Sequence, residues 1–353
     1  MPLSTRVLLA VFLASGAIGA PAAFQRPTPS AGTTTGAVAA ANAFLATLDA
    51  AQRSKATLEF NEKTRVVWSN LPSGMPMQVG ATERNGLKLA DMTPPQEKAA
   101  LALIATILSR EGYQKAMEIV DADQLLETRS APTRKPGAPI RFGRGEYYVS
   151  ILGKPSATEP WMMQFGGHHL AINVTMAGNA HVLAPTHTGA QPASYTVAGK
   201  LIRPLGDEND RAFELINALN AEQQKQAILG YEVRNLVLGP GTDGKTIPPE
   251  GVRAATFTPA QRTVLLALIR EWVGILDDQA SAAKMKEIES GLAETYFAWA
   301  GATTNGRGAY FRVQGPSVFI EYAPQGAGEN NIDHIHTIYR EPANDYAARA
   351  ARR

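Results

Sequence analysis

Two stretches decide how this chain is organised: Thr93-Pro-Pro-Gln-Glu-Lys-Ala-Ala-Leu-Ala-Leu-Ile104 and Thr258-Pro-Ala-Gln-Arg-Thr-Val-Leu-Leu-Ala-Leu-Ile269. Each carries the marks of a helix start. A threonine stands at the N-cap, proline at the first helical position, and glutamine three residues after the threonine closes a capping box. Leu101, Ile104 and Leu108 then mark a buried stripe at helical spacing, as do Leu265, Leu268, Ile269 and Trp272 in the second copy. The likeness extends in both directions. Leu48-Asp-Ala-Ala-Gln-Arg-Ser-Lys-Ala56 matches Leu219-Asn-Ala-Glu-Gln-Gln-Lys-Gln-Ala227, and Gly145-Glu-Tyr147 matches Gly308-Ala-Tyr310. The offsets are 171, 165 and 163 residues, too long for a solenoid and nearly constant.

The expectation is a duplicated half of about 150 residues, with the two copies packed about a pseudo-twofold axis. Each copy reads as helices followed by strands. Helices are predicted over 38–54 and 211–228, besides the two Thr-Pro helices. Strands are predicted over 147–152, 161–165 and 169–176, and over 309–313, 317–322 and 335–339, where β-branched and aromatic residues alternate between Gly and Pro punctuation. The fold class is α+β with largely antiparallel pairing.

Composition bounds the function. Of 353 residues, 44% are hydrophobic and 19% charged, with 34 Lys and Arg against 32 Asp and Glu. Such a balance argues against a nucleic-acid partner driven by phosphate neutralisation. The chain has no cysteine, which excludes disulfide frameworks, thiolate metal sites and thiol nucleophiles. Residues 1–23 read as a signal peptide: Arg6, an apolar stretch from Val7 to Ala20, then small residues at Ala20-Pro21-Ala22. The stretch falls short of the roughly 20 apolar residues that span a bilayer. The expected location is therefore periplasmic or extracellular, with no membrane contact after cleavage. The expected boundaries are a signal peptide over 1–23, a linker over 24–37, half-repeats over 38–205 and 206–347, and a basic tail over 348–353.

One motif is discounted. Gly239-Pro-Gly-Thr-Asp-Gly244-Lys245-Thr246 fits the Walker A spacing, but Pro248, Pro249 and Gly251 forbid the helix whose N-terminus would hold the phosphates. It reads as a surface turn with no nucleotide.

The histidines carry more. Phe165-Gly-Gly-His-His169 and Asp333-His-Ile-His336 each hold two, and alternate strand residues such as His334 and His336 face the same side. Read as strand residues, His168 and His169 point opposite ways, with Gly166 and Gly167 leaving room for a close approach. His169 and His336 lie 167 residues apart, near the repeat offset, so equivalent strands are expected to bring the pairs together. His168, His169, His334 and His336 are the candidate ligands of a divalent transition metal, zinc, copper or iron. Glu321 is a candidate general base or further ligand, and Arg340 a candidate contact for an anion or transition state. Arg340, Asn344, Asp345 and Tyr346 can instead orient the histidines or pin the C-terminal turn. His181 and His187 are expected to matter less. A rival is a cupin barrel, since Gly328, His334, His336 and Glu341 match most of its first motif, although the companion motif is missing.

Trp161-Met-Met-Gln-Phe-Gly-Gly-His-His-Leu-Ala-Ile-Asn173, Phe297-Ala-Trp-Ala-Gly301, Tyr310-Phe-Arg-Val-Gln-Gly-Pro316 with Ile320-Glu-Tyr322, and His334-Ile-His-Thr-Ile-Tyr-Arg340 with Asn344-Asp-Tyr346 form four blocks in order. They resemble the domain-of-unknown-function family 3500 over about residues 40–347. The resemblance implies that the histidine blocks are the family's signature and implies no substrate. The functional expectation is an exported metalloenzyme, a hydrolase first, acting on a small-molecule or extracellular substrate. The alternatives are a copper or iron oxidoreductase and a non-catalytic metal- or ligand-binding protein.

Overall fold

A computed structural model describes residues 34–81, 83–325 and 331–350, so the expected signal peptide lies outside the described residues. The chain begins with helices α1 (Thr34–Ala46) and α2 (Ala50–Ala56), short strands β1 (Thr57–Leu58) and β2 (Leu87–Lys88), and helices α3 (Pro94–Ile107) and α4 (Arg110–Ser130). Strands β3 (Tyr148–Leu152), β4 (Trp161–Gly167), β5 (Leu170–Ala177), β6 (Ala180–Val182) and β7 (Thr186–Ala190) follow, then the small hairpin β8 (Tyr195–Val197) and β9 (Lys200–Ile202). Next come α5 (Gly206–Ala218), α6 (Ala221–Ala227), β10 (Val252–Arg253), α7 (Pro259–Val273) and α8 (Asp278–Ser290). Strands β11 (Tyr296–Gly301), β12 (Ala309–Gln314), β13 (Phe319–Pro324) and β14 (Ile335–Arg340) close the chain.

The protein is α+β, with eight helices and a twelve-stranded mixed sheet among the described residues. The sheet runs β1-β3-β4-β5-β7-β14-β13-β12-β11-β10, with β2 beside β3 and β6 beside β5. Every pair is antiparallel except β1 with β3. The path has two open ends, so the cupin barrel does not hold.

The Thr-Pro helices start where expected, with both capping boxes formed. The helices expected over 38–54 and 211–228 are each broken in two. Asp49 and Asn220 start new capping boxes, accepting from Gln52 N at 2.8 Å and Gln223 N at 2.9 Å. A cap satisfies amides that a continuous helix would bond internally, so it favours a fresh start there. Helix α1 begins at Thr34, inside the stretch read as linker. Helices α4 and α8 were not expected from the sequence.

The two faces of the sheet differ. One is apolar: Phe165, Ile172, Val174, Phe297, Trp299, Phe311, Val313 and Ile320 form one core with Leu101, Ile104, Leu265, Leu268 and Trp272 of α3 and α7. Truncating such a buried leucine to alanine costs about 2–5 kcal/mol. The other face carries Gln164, Asn173, His187, Arg312, Glu321, His336 and Arg340 and lies under the largely irregular segments 59–86 and 229–251. Trp68 and Leu238 from those segments meet Ala171, Phe319 and Ile338 there. Asn173 is 1% exposed and donates to Pro185 O, so it is a packing residue of this face.

Candidate metal centre

The sequence Gly166-Gly-His-His169 makes a turn rather than a strand. Gly167 pairs with Leu170, so His168 and His169 are the two residues of the β4–β5 hairpin, and His169 takes φ 64. Their rings therefore do not point opposite ways. They stack, with centroids 3.6 Å apart and planes tilted by 29°. The close approach at the glycines is internal. A Cβ on Gly167 would lie 2.8 Å from the Tyr147 ring, whose hydroxyl donates to His168 O at 2.7 Å.

Strand β7 carries the hairpin to the second histidine pair. Leu170 pairs with Thr188 on one side of β7, and His336 pairs with Gly189 on the other. A Cβ on Gly189 would stand 3.2 Å from Cδ2 of both His169 and His336 and 2.7 Å from Ile335 O, so glycine lets the two rings close over the strand. His169 Nε2 lies 2.8 Å from His334 Nε2, which lies 3.1 Å from His336 Nε2. The expectation that equivalent strands carry the two pairs is corrected. His168 and His169 sit on a hairpin one strand removed from the middle of the sheet, whereas His336 sits on β14, at the middle.

Two overlapping groups could hold an ion: His169, His334 and His336, and Asp123, His168 and His169. Within each, one ligand atom per residue lies within 4.8 Å of the others. Asp123, fully buried on α4, accepts from His168 Nδ1 at 2.6 Å and from Gly143 N at 2.8 Å. Asn70 accepts from His169 N at 3.1 Å and brings its amide nitrogen within 3.4 Å of His336 Nδ1.

Burial, reinforced by the neighbouring imidazoles, holds His169 and His336 well below the usual histidine range. Burial likewise brings His334 down to about 4, with the neighbouring His168 imidazole adding to it. All three are neutral near pH 7, the form in which imidazole binds metals. His334 is the least buried of the three and gives the group its side toward solvent.

His187, expected to matter little, is fully buried with its ring 5.1 Å from that of His336. Neither ring nitrogen makes a well-formed hydrogen bond, although a backbone group of His169 lies alongside. Burial brings it down to about 3. His181 lies apart from the group, held by Asp277 at 2.9 Å and Thr34 at 3.1 Å.

Glu321 and Arg340 are not members of either group. Glu321 accepts from Val237 N at 2.9 Å, Leu238 N at 2.8 Å and the Tyr310 hydroxyl at 2.6 Å. Arg340 donates to Leu238 O, Gly239 O, Asp243 and Asp345. Tyr346 donates to Asp243 and accepts from Trp68 Nε1, and Asn344 donates to Glu341. These side chains anchor the segment around 237–243 and the C-terminal turn. The Walker-like stretch lies in that loop, and no helix follows Lys245 before β10.

The sequence pointed to the histidines but not to Asp123, Asn70 or His187. Only His187 had a signal, as a histidine among β-branched residues in Pro185-Thr-His-Thr-Gly189.

Together these features define an α+β protein with a buried, histidine-rich group able to hold a metal ion. The chain matches the family model described as Protein of unknown function (DUF3500) over residues 30–348, and it belongs to that family. No curated protein and no solved structure matches it at a significant level.

Proposed function

We propose that the chain is an exported metalloprotein, with His169, His334 and His336 binding a divalent zinc, copper or iron ion that activates water for hydrolysis. One observation carries this reading. His334 Nε2 faces two other ring nitrogens, at 2.8 and 3.1 Å. A neutral imidazole nitrogen has either one proton or one lone pair. It cannot make a full hydrogen bond to both neighbours at once, so the two contacts share a single proton or lone pair, whereas a cation between the rings would satisfy all of them. Ring nitrogens on a tetrahedral zinc stand about 3.3 Å apart, from bonds of about 2.0–2.1 Å. The two contacts of His334 Nε2 need to open by only a few tenths of an ångström.

The partly exposed His334 leaves a path for substrate and supports a catalytic metal with an open position. The engagement of Glu321 in three hydrogen bonds supports the second reading, a non-catalytic metal-binding protein. Hydrolytic turnover of ester, amide and phosphate panels by zinc-loaded protein, abolished in H336A, tests the first. Stoichiometric zinc without turnover leaves the second.

The duplication belongs to the same proposal. The sheet order reads alike from either end toward the central β7–β14 pair. Gln52 and Gln96 exchange two amide hydrogen bonds, at 3.1 and 2.7 Å, and Gln223 and Gln261 do the same at 3.2 and 2.9 Å. Gln96 also donates to Thr47 O, as Gln261 does to Ala218 O. The chain enters the sheet in parallel both times, Thr57 beside Ile151 and Ile228 beside Trp299. The two halves should superpose by a rotation near 180°. Unrelated placements of α3 and α7 would end the idea. Export is tested by the mass of the mature protein, expected to begin near Ala23.

A further inference from the structure

The four clustered imidazoles divide into three and one. A metal binds imidazole in the ring plane, along the nitrogen lone pair, at about 2.0–2.1 Å for zinc. His168 and His169 are stacked 3.6 Å apart with a tilt of 29°. Planes so placed converge roughly 6–7 Å from the rings, about three times a zinc–nitrogen bond. An ion in the plane of His169 therefore lies over the face of His168, not on its lone pair.

His168 is nonetheless held with care. Its Nδ1 faces Asp123 at 2.6 Å. A carboxylate accepts, so Nδ1 carries a proton, and in the neutral ring the lone pair is then on Nε2. Among the described residues no protein group is hydrogen-bonded to Nε2, and the side chain is 8% exposed. Phe142 packs against the ring, with centroids 5.0 Å apart. Asp123 is itself fixed by Gly143 N at 2.8 Å. The result is a rigid acceptor beside the three-histidine group.

We propose that His168 is not a ligand of the ion. It is the hydrogen-bond acceptor for a metal-bound water, or for the N–H or O–H of a substrate whose oxygen replaces that water, and Asp123 is its positioning residue. The proposal rests on the metal reading above. It narrows the substrate class to molecules with an N–H or O–H next to the oxygen that reaches the metal, as in an amide or hydroxamate.

The test uses the mature chain loaded with zinc, with acetohydroxamate as a probe that carries such an N–H and acetate as one that does not. Wild type should hold zinc through three imidazoles by X-ray absorption. H168A should keep its zinc and the same three imidazoles, bind acetohydroxamate about tenfold more weakly, and bind acetate unchanged. H168Q, which restores an acceptor, should recover part of the loss, and it guards against a misfolded H168A. D123A should weaken acetohydroxamate by a smaller factor with zinc retained. Loss of zinc from both H168A and H168Q, four imidazoles in wild type, or unchanged acetohydroxamate affinity in H168A overturns the proposal and leaves the metal reading standing. Failure of wild type to take up zinc, copper or iron overturns the metal reading itself.

Discussion

Two histidines in this protein have the same local partner and different surroundings. His168 and His181 each put Nδ1 against a buried aspartate, Asp123 at 2.6 Å and Asp277 at 2.9 Å. At His181 the other ring nitrogen is also taken, by Thr34 Oγ1 at 3.1 Å, and Asp277 caps α8 through Gln279 N and Ala280 N. Both ring nitrogens of His181 tie one element to another, and Asp277 starts α8. At His168 the second nitrogen has no such bond, and three further imidazoles stand beside it. A buried His–Asp pair is therefore not by itself a mark of function. The difference lies in whether the second ring nitrogen already has a partner.

The largest effect should come from the proposed ligands. H334A and H336A should each lose bound metal by more than about tenfold in affinity, while unfolding stays cooperative, because the main core lies on the opposite face of the sheet. Elemental analysis after dialysis, with a denaturant curve on the same sample, measures both. H181A should give the reverse: metal unchanged, and stability lower by about 1–3 kcal/mol, since a buried carboxylate loses a partner. If H181A also released the metal, the contrast between the two pairs would fail.

A smaller effect sharpens the geometry. G189A puts a methyl group between His169 and His336 and against Ile335 O, and should cost about 1–3 kcal/mol of stability as the rings are forced apart. It should also weaken metal binding, which competition with a chromophoric chelator would read. Unchanged affinity would show that the two rings do not need to meet over β7.

A last effect, spread over several pH units, concerns the metal-free protein. Burial brings His187 down to about 3, against about 6.5 in an unfolded chain. Above pH 6.5 neither state takes the proton and stability is level. As pH falls from 6.5 toward 3, only the unfolded state binds it, so stability drops by about 1.4 kcal/mol per pH unit for this residue. H187L should flatten that part of the slope in urea curves taken at pH 7, 6 and 5. An equal slope in wild type and variant would put the acid sensitivity elsewhere.

Much of the fold was legible in local chemistry. Thr93 and Thr258 announced their helices because cap, proline and glutamine fall within four residues. The same capping chemistry stood at Asp49 and Asn220, inside stretches whose apolar spacing favoured one long helix, and there the caps prevailed. Helix α4 was hidden by its own composition, since Arg110–Ser130 mixes charges on every side and buries few of its residues. The histidine pairs were legible as pairs, but the reason they meet was not. They meet because β7 lies between β5 and β14, a long-range pairing that no spacing along the chain records. Asp123 had no sequence signal for the same reason: its partner is 45 residues away and the contact crosses from helix to hairpin.

The central claim is that His169, His334 and His336 share one ion. The most direct measurement is elemental analysis of purified untagged protein, wild type beside H336A. Wild type should carry close to one zinc, copper or iron ion per chain, and the variant little. A metal-free wild type that takes up none of these ions on titration, or an H336A protein that keeps the full complement, would contradict it.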